Sequence, residues 1–382
     1  MADEKRQESG GRSLFVRVAA LILALLVVFG AVSVALLADS KYLDRVRRWL
    51  IYGDSTEENL YTFAADSRNR YGQSGEYLVV LSQNTIQFLE NDGTAYLSKQ
   101  VQLSQPALSV GGNLAAAYDV GGQNLYLFSR DGERLHLTLE EGCGFISARL
   151  NESGYLAVVY EGGGYKGIVD IYNARQEKVF TYNSSSRFLI DAAVSRSGAA
   201  AAVVALGEEA GSFCSEVIFY PLDQQEPYAR TPLAGHLTMD LGVTGGVLAS
   251  VSQGDVSFVD SEGKLTGVFS YNNLYLRDYS FGGEGYLSLL LNRYRSGSIG
   301  SLMTVNTDGT VIAAKDITEE VLDISASGNY VAVLYGDALI IYTKELEEYA
   351  RLSNTGYASH VLMQSDGSAL IIGGNTAWRY LP

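Results

Sequence analysis

The chain has 382 residues, is rich in Gly (41) and Tyr (26), and has few Pro (5) and His (3). Such a length allows one large domain or two or three ordinary ones, and the composition leans toward strands joined by Gly, Asn, Asp and Ser turns. Residues 1–53 hold eight Lys/Arg and five Asp/Glu, net +3, so with a total of −15 the remainder carries −18, which excludes nucleic acid as its partner, because phosphate backbones are bound by clustered Lys and Arg.

In chain order, residues 1–13 form a short polar tail, expected on the cytoplasmic side. Residues 14–38 follow as a transmembrane signal anchor. The charge-free run at 18–38, "VAALILALLVVFGAVSVALLA", is long enough for a helix to cross the hydrocarbon core. It exceeds a signal-peptide h-region and has no clean A-x-A cleavage site. Basic residues flank it almost equally. A long domain translocates largely regardless of charge, so the expected topology is single-pass in the cell membrane, N-terminus cytoplasmic and the rest extracytoplasmic. Residues 39–56 are either a juxtamembrane stalk or a ring-closing strand, and 57–382 form the folded domain.

That domain repeats. An apolar run recurs as "EYLVVLS" at Glu76, "NLAAAYD" at Asn113, "YLAVVYE" at Tyr155, "AAAAVVAL" at Ala199, "VLASVS" at Val247, "YLSLLLN" at Tyr286, "YVAVLYG" at Tyr330 and "ALIIGG" at Ala369. The starts lie roughly 37 to 48 residues apart, bracketing the period of about 40–45 of four-stranded propeller blades. Each copy is preceded by a strand often closed by Ser-Gly or Asp-Gly, and followed by another strand, such as "QNLYLFSRDG". A more polar strand then completes the unit a, b, c, d. Blades set radially around an axis bury each other's faces. The expected fold is therefore all-β, a β-propeller of eight four-stranded blades, with seven as the alternative. The chain stops after the eighth c strand, so the missing d strand should come from the N-terminal side. Residues 47–54, "RRWLIYGD", are the expected donor, and the competing reading makes 42–52 an amphipathic helical stalk.

At "YEGGGYKGIVDIYN", "LIDAAVSRSG" and "VLDISASGNYVAVLYGDALIIYTKEL", behind one N-terminal span, the chain resembles an uncharacterised, domain-of-unknown-function family of bacterial single-pass membrane proteins with propeller ectodomains. That resemblance implies fold and topology but no activity. More distantly the blades are similar to WD40-like and quinoprotein-like propellers. Repeated Trp-Asp endings are absent, and Trp49 and Trp378 are the only tryptophans.

In such a ring the b-to-c and d-to-a connections share one face. The segments 161–167 ("EGGGYKG"), 207–215 ("GEEAGSFCS") and 292–300 ("NRYRSGSIG") read as long b-to-c loops there, the usual place for binding residues. Tyr165, Lys166, Arg293, Tyr294 and Arg295 are the candidates. Asp191 and Asp278 lie seven residues before the turn glycines Gly198 and Gly285, and Ser147 and His360 share that offset. On innermost strands these four could ring one level of the channel; the alternative is that they satisfy backbone groups of the next blade. Cys143 and Cys214 belong to adjacent blades on the long-loop face, where a disulfide would fit an oxidising compartment and two free thiols are the plainer reading. His136, His236 and His360 share no ligand spacing, and the "NDGT" and "TDGT" segments are hairpin turns lacking a calcium loop's other acidic positions. No metal or cofactor is expected, nor any nucleophile or phosphate-binding motif. The expected function is a membrane-anchored binding or scaffolding module for a protein or cell-envelope polymer. The alternative is a hydrolase or cofactor-dependent enzyme with its site in the central channel.

Overall fold

The structure is a computed structural model and describes residues 44–46, 48–49, 60–209, 211–233 and 235–382. From Glu58 to Pro382 the chain forms one compact unit of eight four-stranded antiparallel sheets. Blades 1 to 7 occupy residues 70–100, 106–138, 144–184, 188–233, 238–270, 275–317 and 321–353, each with its strands in the order a, b, c, d. Blade 8 takes a, b and c from His360–Met363, Ala369–Gly373 and Thr376–Tyr380, and its d strand from Leu60–Thr62.

The apolar b strands explain the ring. Successive side chains point to opposite faces of a sheet, and both faces of a blade meet another blade, so an alternating strand becomes a continuous apolar run. In blade 1, Val79 and Leu81 pack toward Ala115 and Ala117 of blade 2, while Leu78 and Val80 pack toward Leu370 and Ile372 of blade 8. The buried core divides into eight such clusters, one at each junction between neighbouring blades. The outermost strand of each blade, d, is mostly polar and exposed, which blunts the open edge.

Closure comes from the N-terminal side, as expected, but through Leu60–Thr62 rather than 47–54. Leu60, Tyr61 and Thr62 pair with Trp378, Ala377 and Thr376. Tyr61 is fully buried, and Arg379 donates to its hydroxyl (3.1 Å) and to Asn91 of blade 1 (2.8 Å). Residues 44–46 and 48–49 are helical instead. Among the described residues no helix is long and apolar enough to cross a membrane, and the expected span at 18–38 lies outside them.

Two of the three long loops are also different. The ladder of blade 3 continues to Gly162↔Tyr165, leaving only Gly163 and Gly164 in the turn, both at positive φ (60° and 80°). Such a two-residue turn suits the strand twist and needs glycine. In blade 4 pairing runs out to Glu209↔Ser212. These are projecting two-stranded ribbons, hidden in the sequence by glycines and glutamates that mask the alternation. Only 293–299 is a true loop, held at its base by Asn292↔Gly300.

Candidate functional site

Strand register defines one level of the channel near the long-loop face. In every blade the a-strand residue at this level pairs with a b-strand residue that packs toward the next blade. The eight pairs are Arg70↔Leu81, Ala107↔Tyr118, Ser147↔Val159, Asp191↔Val204, Asp240↔Val251, Asp278↔Leu290, Asp323↔Leu334 and His360↔Ile372. In blades 3 to 7 a β-bulge immediately precedes this residue, and bulges re-aim side chains near functional sites. The expected Ser147, Asp191, Asp278 and His360 thus do share a level.

Arg70, Ala107, Asp240 and Asp323 complete it and are not evident from turn spacing. The a-to-b turns of blades 5 and 7 contain two residues, between Thr244↔Val247 and Ser327↔Tyr330. Their aspartates therefore precede the turn glycine by five residues, not seven. A different signal was available: "LIDA", "TMDL", "LRDY" and "VLDI" all place Asp before an apolar or aromatic residue, two or three positions after the strand begins.

Satisfaction of the next blade's backbone applies to two residues of the ring, Asp278 and Asp323. Asp323 Oδ2 accepts the Val361 N–H of the next blade (2.8 Å). Asp278 accepts from Tyr279 N–H (2.8 Å) and from Ile324 N–H across the junction. Serines do the same nearby: Ser109, Ser280 and Ser325 accept from Leu150, Ala326 and Met363.

Blades 3 to 6 share a charged network. Arg149 donates through Nε to both oxygens of Asp191 (2.9 and 2.8 Å) and through a terminal nitrogen to Asp240, whose other oxygen accepts from Tyr279 (2.7 Å). Burial pushes the Asp191 carboxyl up while Arg149 pulls it back, and burial works against the Arg149 cation while Asp191 and Asp240 hold it charged. Arg149 nevertheless keeps 29% of its side chain exposed, so water reaches this wall. Asp278 is the outlier. Burial first, and the nearby Asp323 carboxylate second, push it up to about 6. His360 Nδ1 lies 3.6 Å from Asp323, with its ring 5.4 Å from Tyr71 of blade 1. Among the described residues no three His, Cys, Asp or Glu converge as metal ligands. The ring can hold hydrogen-bonding and charged groups, and Asp278 can exchange a proton near neutrality.

The other candidates lie on the long-loop face but in two places. Lys166 donates to Ser186 O (3.1 Å) and sits 5.0 Å from the Phe188 ring, beside Tyr165 at the tip of the blade 3 ribbon. In blade 6, Arg293 pairs with Asp316 (3.4 Å) and Arg295 lies over Tyr275, while Tyr294 between them is exposed. Phe188, Phe213, Leu237, Met239 and Tyr275, in blades 4 to 6 and the connection between blades 4 and 5, are exposed as well. Cys143 and Cys214 are free thiols. Cys143 packs against Gly162, and Cys214 lies opposite Gly207 with Arg187 3.5 Å from its sulfur. The "NDGT" and "TDGT" segments are hairpin turns, as expected, with Asp92 and Asp308 accepting from Thr94 and Thr310.

Comparison with known proteins adds a family and a fold. A model described as a family of unknown function, DUF5711, matches residues 49–373. No curated protein matches the chain. Among solved structures, the C-terminal WD40 domain of Sif2 is similar over 85% of this chain and 98% of its own (TM-score 0.59, 13% identity). The computationally designed Ika8 protein is similar over 85% and 100% (0.59, 11%). BamB from Moraxella catarrhalis is similar over 84% and 97% (0.52, 11%).

Proposed function

We propose a scaffolding role for this chain, which belongs to the DUF5711 family of unknown function: the long-loop face of the propeller docks a protein or cell-envelope polymer. In this reading residues 18–38 anchor it in the bacterial membrane and the propeller stands outside. One observation carries the proposal. Phe213 is 75% exposed, Tyr294 65% and Phe188 57%, all on one face, where the domain's own core leaves them uncovered. Large apolar side chains exposed on one face favour an interaction role there, and aromatic and Arg side chains supply most interface energy.

The test compares faces. A photo-cross-linker at Tyr294 should capture a partner in living cells, whereas one at Asp308, on the opposite turn face, should not. Equal capture from both positions would remove the argument for a dedicated face. Topology has its own check: protease added to intact cells should degrade the propeller, and full protection would reverse the extracytoplasmic placement.

A further inference from the structure

We infer that the long-loop face carries an oxyanion site between blades 1 and 2, built from Arg68 and Arg70, which takes the carboxylate or phosphate group of a small organic acid. This goes beyond the scaffolding reading, since it concerns a small ligand in a separate part of the face.

A hollow of about 600 Å³ is lined by Arg68, Arg70, Gln105, Pro106, Ala107 and Val120, within the range of small-molecule sites. Both arginines are exposed. Arg68 spends one terminal nitrogen on Ser104 O (2.9 Å), and Arg70 spends one on the carbonyls of Asn69 (3.2 Å) and Arg68 (3.5 Å). Those contacts fix each guanidinium while leaving its Nε and second terminal nitrogen as donors. Among the described residues neither meets a carboxylate within 4.0 Å, although Arg130, Arg149, Arg187, Arg230, Arg293 and Arg351 all do. Two carboxylates near the hollow make backbone contacts and no ion pair with either arginine: Asp66 accepts the Arg68 backbone N–H (2.9 Å), and Asp119 accepts the Gln105 N–H (2.6 Å). In a strongly acidic propeller, two guanidiniums that line one hollow without a direct ion-pair partner offer it free cationic donors. Guanidinium forks match the geometry of carboxylate and phosphate oxygens. Pro106, which lacks an N–H, together with Ala107 and Val120 supplies an apolar flank suited to a short hydrocarbon body.

Calorimetry on the purified full chain at constant ionic strength, with butyrate, inorganic phosphate and neutral butyramide as probes, tests the site. Saturable binding of at least one anion and none of butyramide is expected, and the tighter anion identifies the head group. Arg68→Gln and Arg70→Gln, which keep an amide donor for the carbonyls, should each weaken binding about 10- to 100-fold, as loss of a charge-assisted hydrogen bond implies. Val120→Trp, at an exposed position, should block the hollow with both guanidiniums intact. Arg277→Gln on blade 6 should leave affinity unchanged. Absence of saturable binding by either anion, or binding that survives both the Gln double variant and Val120→Trp, would overturn the inference.

Discussion

Asp278→Asn should stabilise the propeller at alkaline pH and do little for it at acidic pH. In the folded chain burial and Asp323 hold the Asp278 carboxyl at about 6, against about 3.9 for a free Asp. A folded pKa above the unfolded one means the native state binds the extra proton between those values. Stability therefore falls as pH rises from about 4 to about 6, and the full penalty persists above that. About 2 pKa units at 1.36 kcal/mol each gives roughly 2–3 kcal/mol. Asn keeps an oxygen for the N–H groups of Tyr279 and Ile324 and turns a donor toward Asp323, so the exchange removes the charge but keeps the staple between blades 6 and 7. Thermal melts of wild type and variant at about pH 4 and pH 8 check this, with a gain of a few degrees expected only at pH 8. An equal shift at both pH values, or a loss at pH 8, would refute the ascription of the raised pKa to burial with Asp323 near by.

Three further outcomes follow from named contacts. Arg149→Leu leaves Asp191 and Asp240 without their shared cation and should cost about 3 kcal/mol, since removing one partner of a buried pair strands the other. The loss should grow with pH and shrink when Asp191→Asn is added, as chemical denaturation of the single and double variants would show. Tyr61→Ala should cost about 3–5 kcal/mol and open the ring at blade 8, seen as faster hydrogen exchange in Thr376–Tyr380 than in the equivalent c strand of blade 5. Asp191→Asn with Asp278→Asn addresses the enzymatic alternative: loss of a turnover found in an envelope-substrate screen, with folding intact, would replace the binding role by catalysis in the channel.

The blade count was legible because it rests on burial. A b strand covered on both faces must be apolar throughout, and eight apolar runs such as "YVAVLYG" stand out at any alignment. Closure was legible only as a vacancy: a three-residue strand held by Tyr61 has too little pattern to be distinguished from its neighbours. The ribbons of blades 3 and 4 stayed hidden because beyond the disc neither face is buried, so hydrogen bonding continues through Gly162 and Glu209 without an apolar period to announce it. The ring shows the most instructive failure. Counting back from the turn glycine locates Asp191 and Asp278 but misses Asp240 and Asp323, because turns on the plain face vary by two residues at no cost to the sheet. The bulge does not vary in blades 3 to 7, since it aims the side chain that joins one blade to the next. Counting from the bulged end of strand a finds all four aspartates, and it also finds Arg70 by its register with Leu81. Placing a guanidinium in blade 1 makes the ring one-sided, with carboxylates in blades 4 to 7 and the cation without an ion-pair partner beside the hollow. Because Arg149 neutralises much of the charge of Asp191 and Asp240, an anion anchored by Arg68 and Arg70 would be disfavoured chiefly beside Asp278 and Asp323 at alkaline pH.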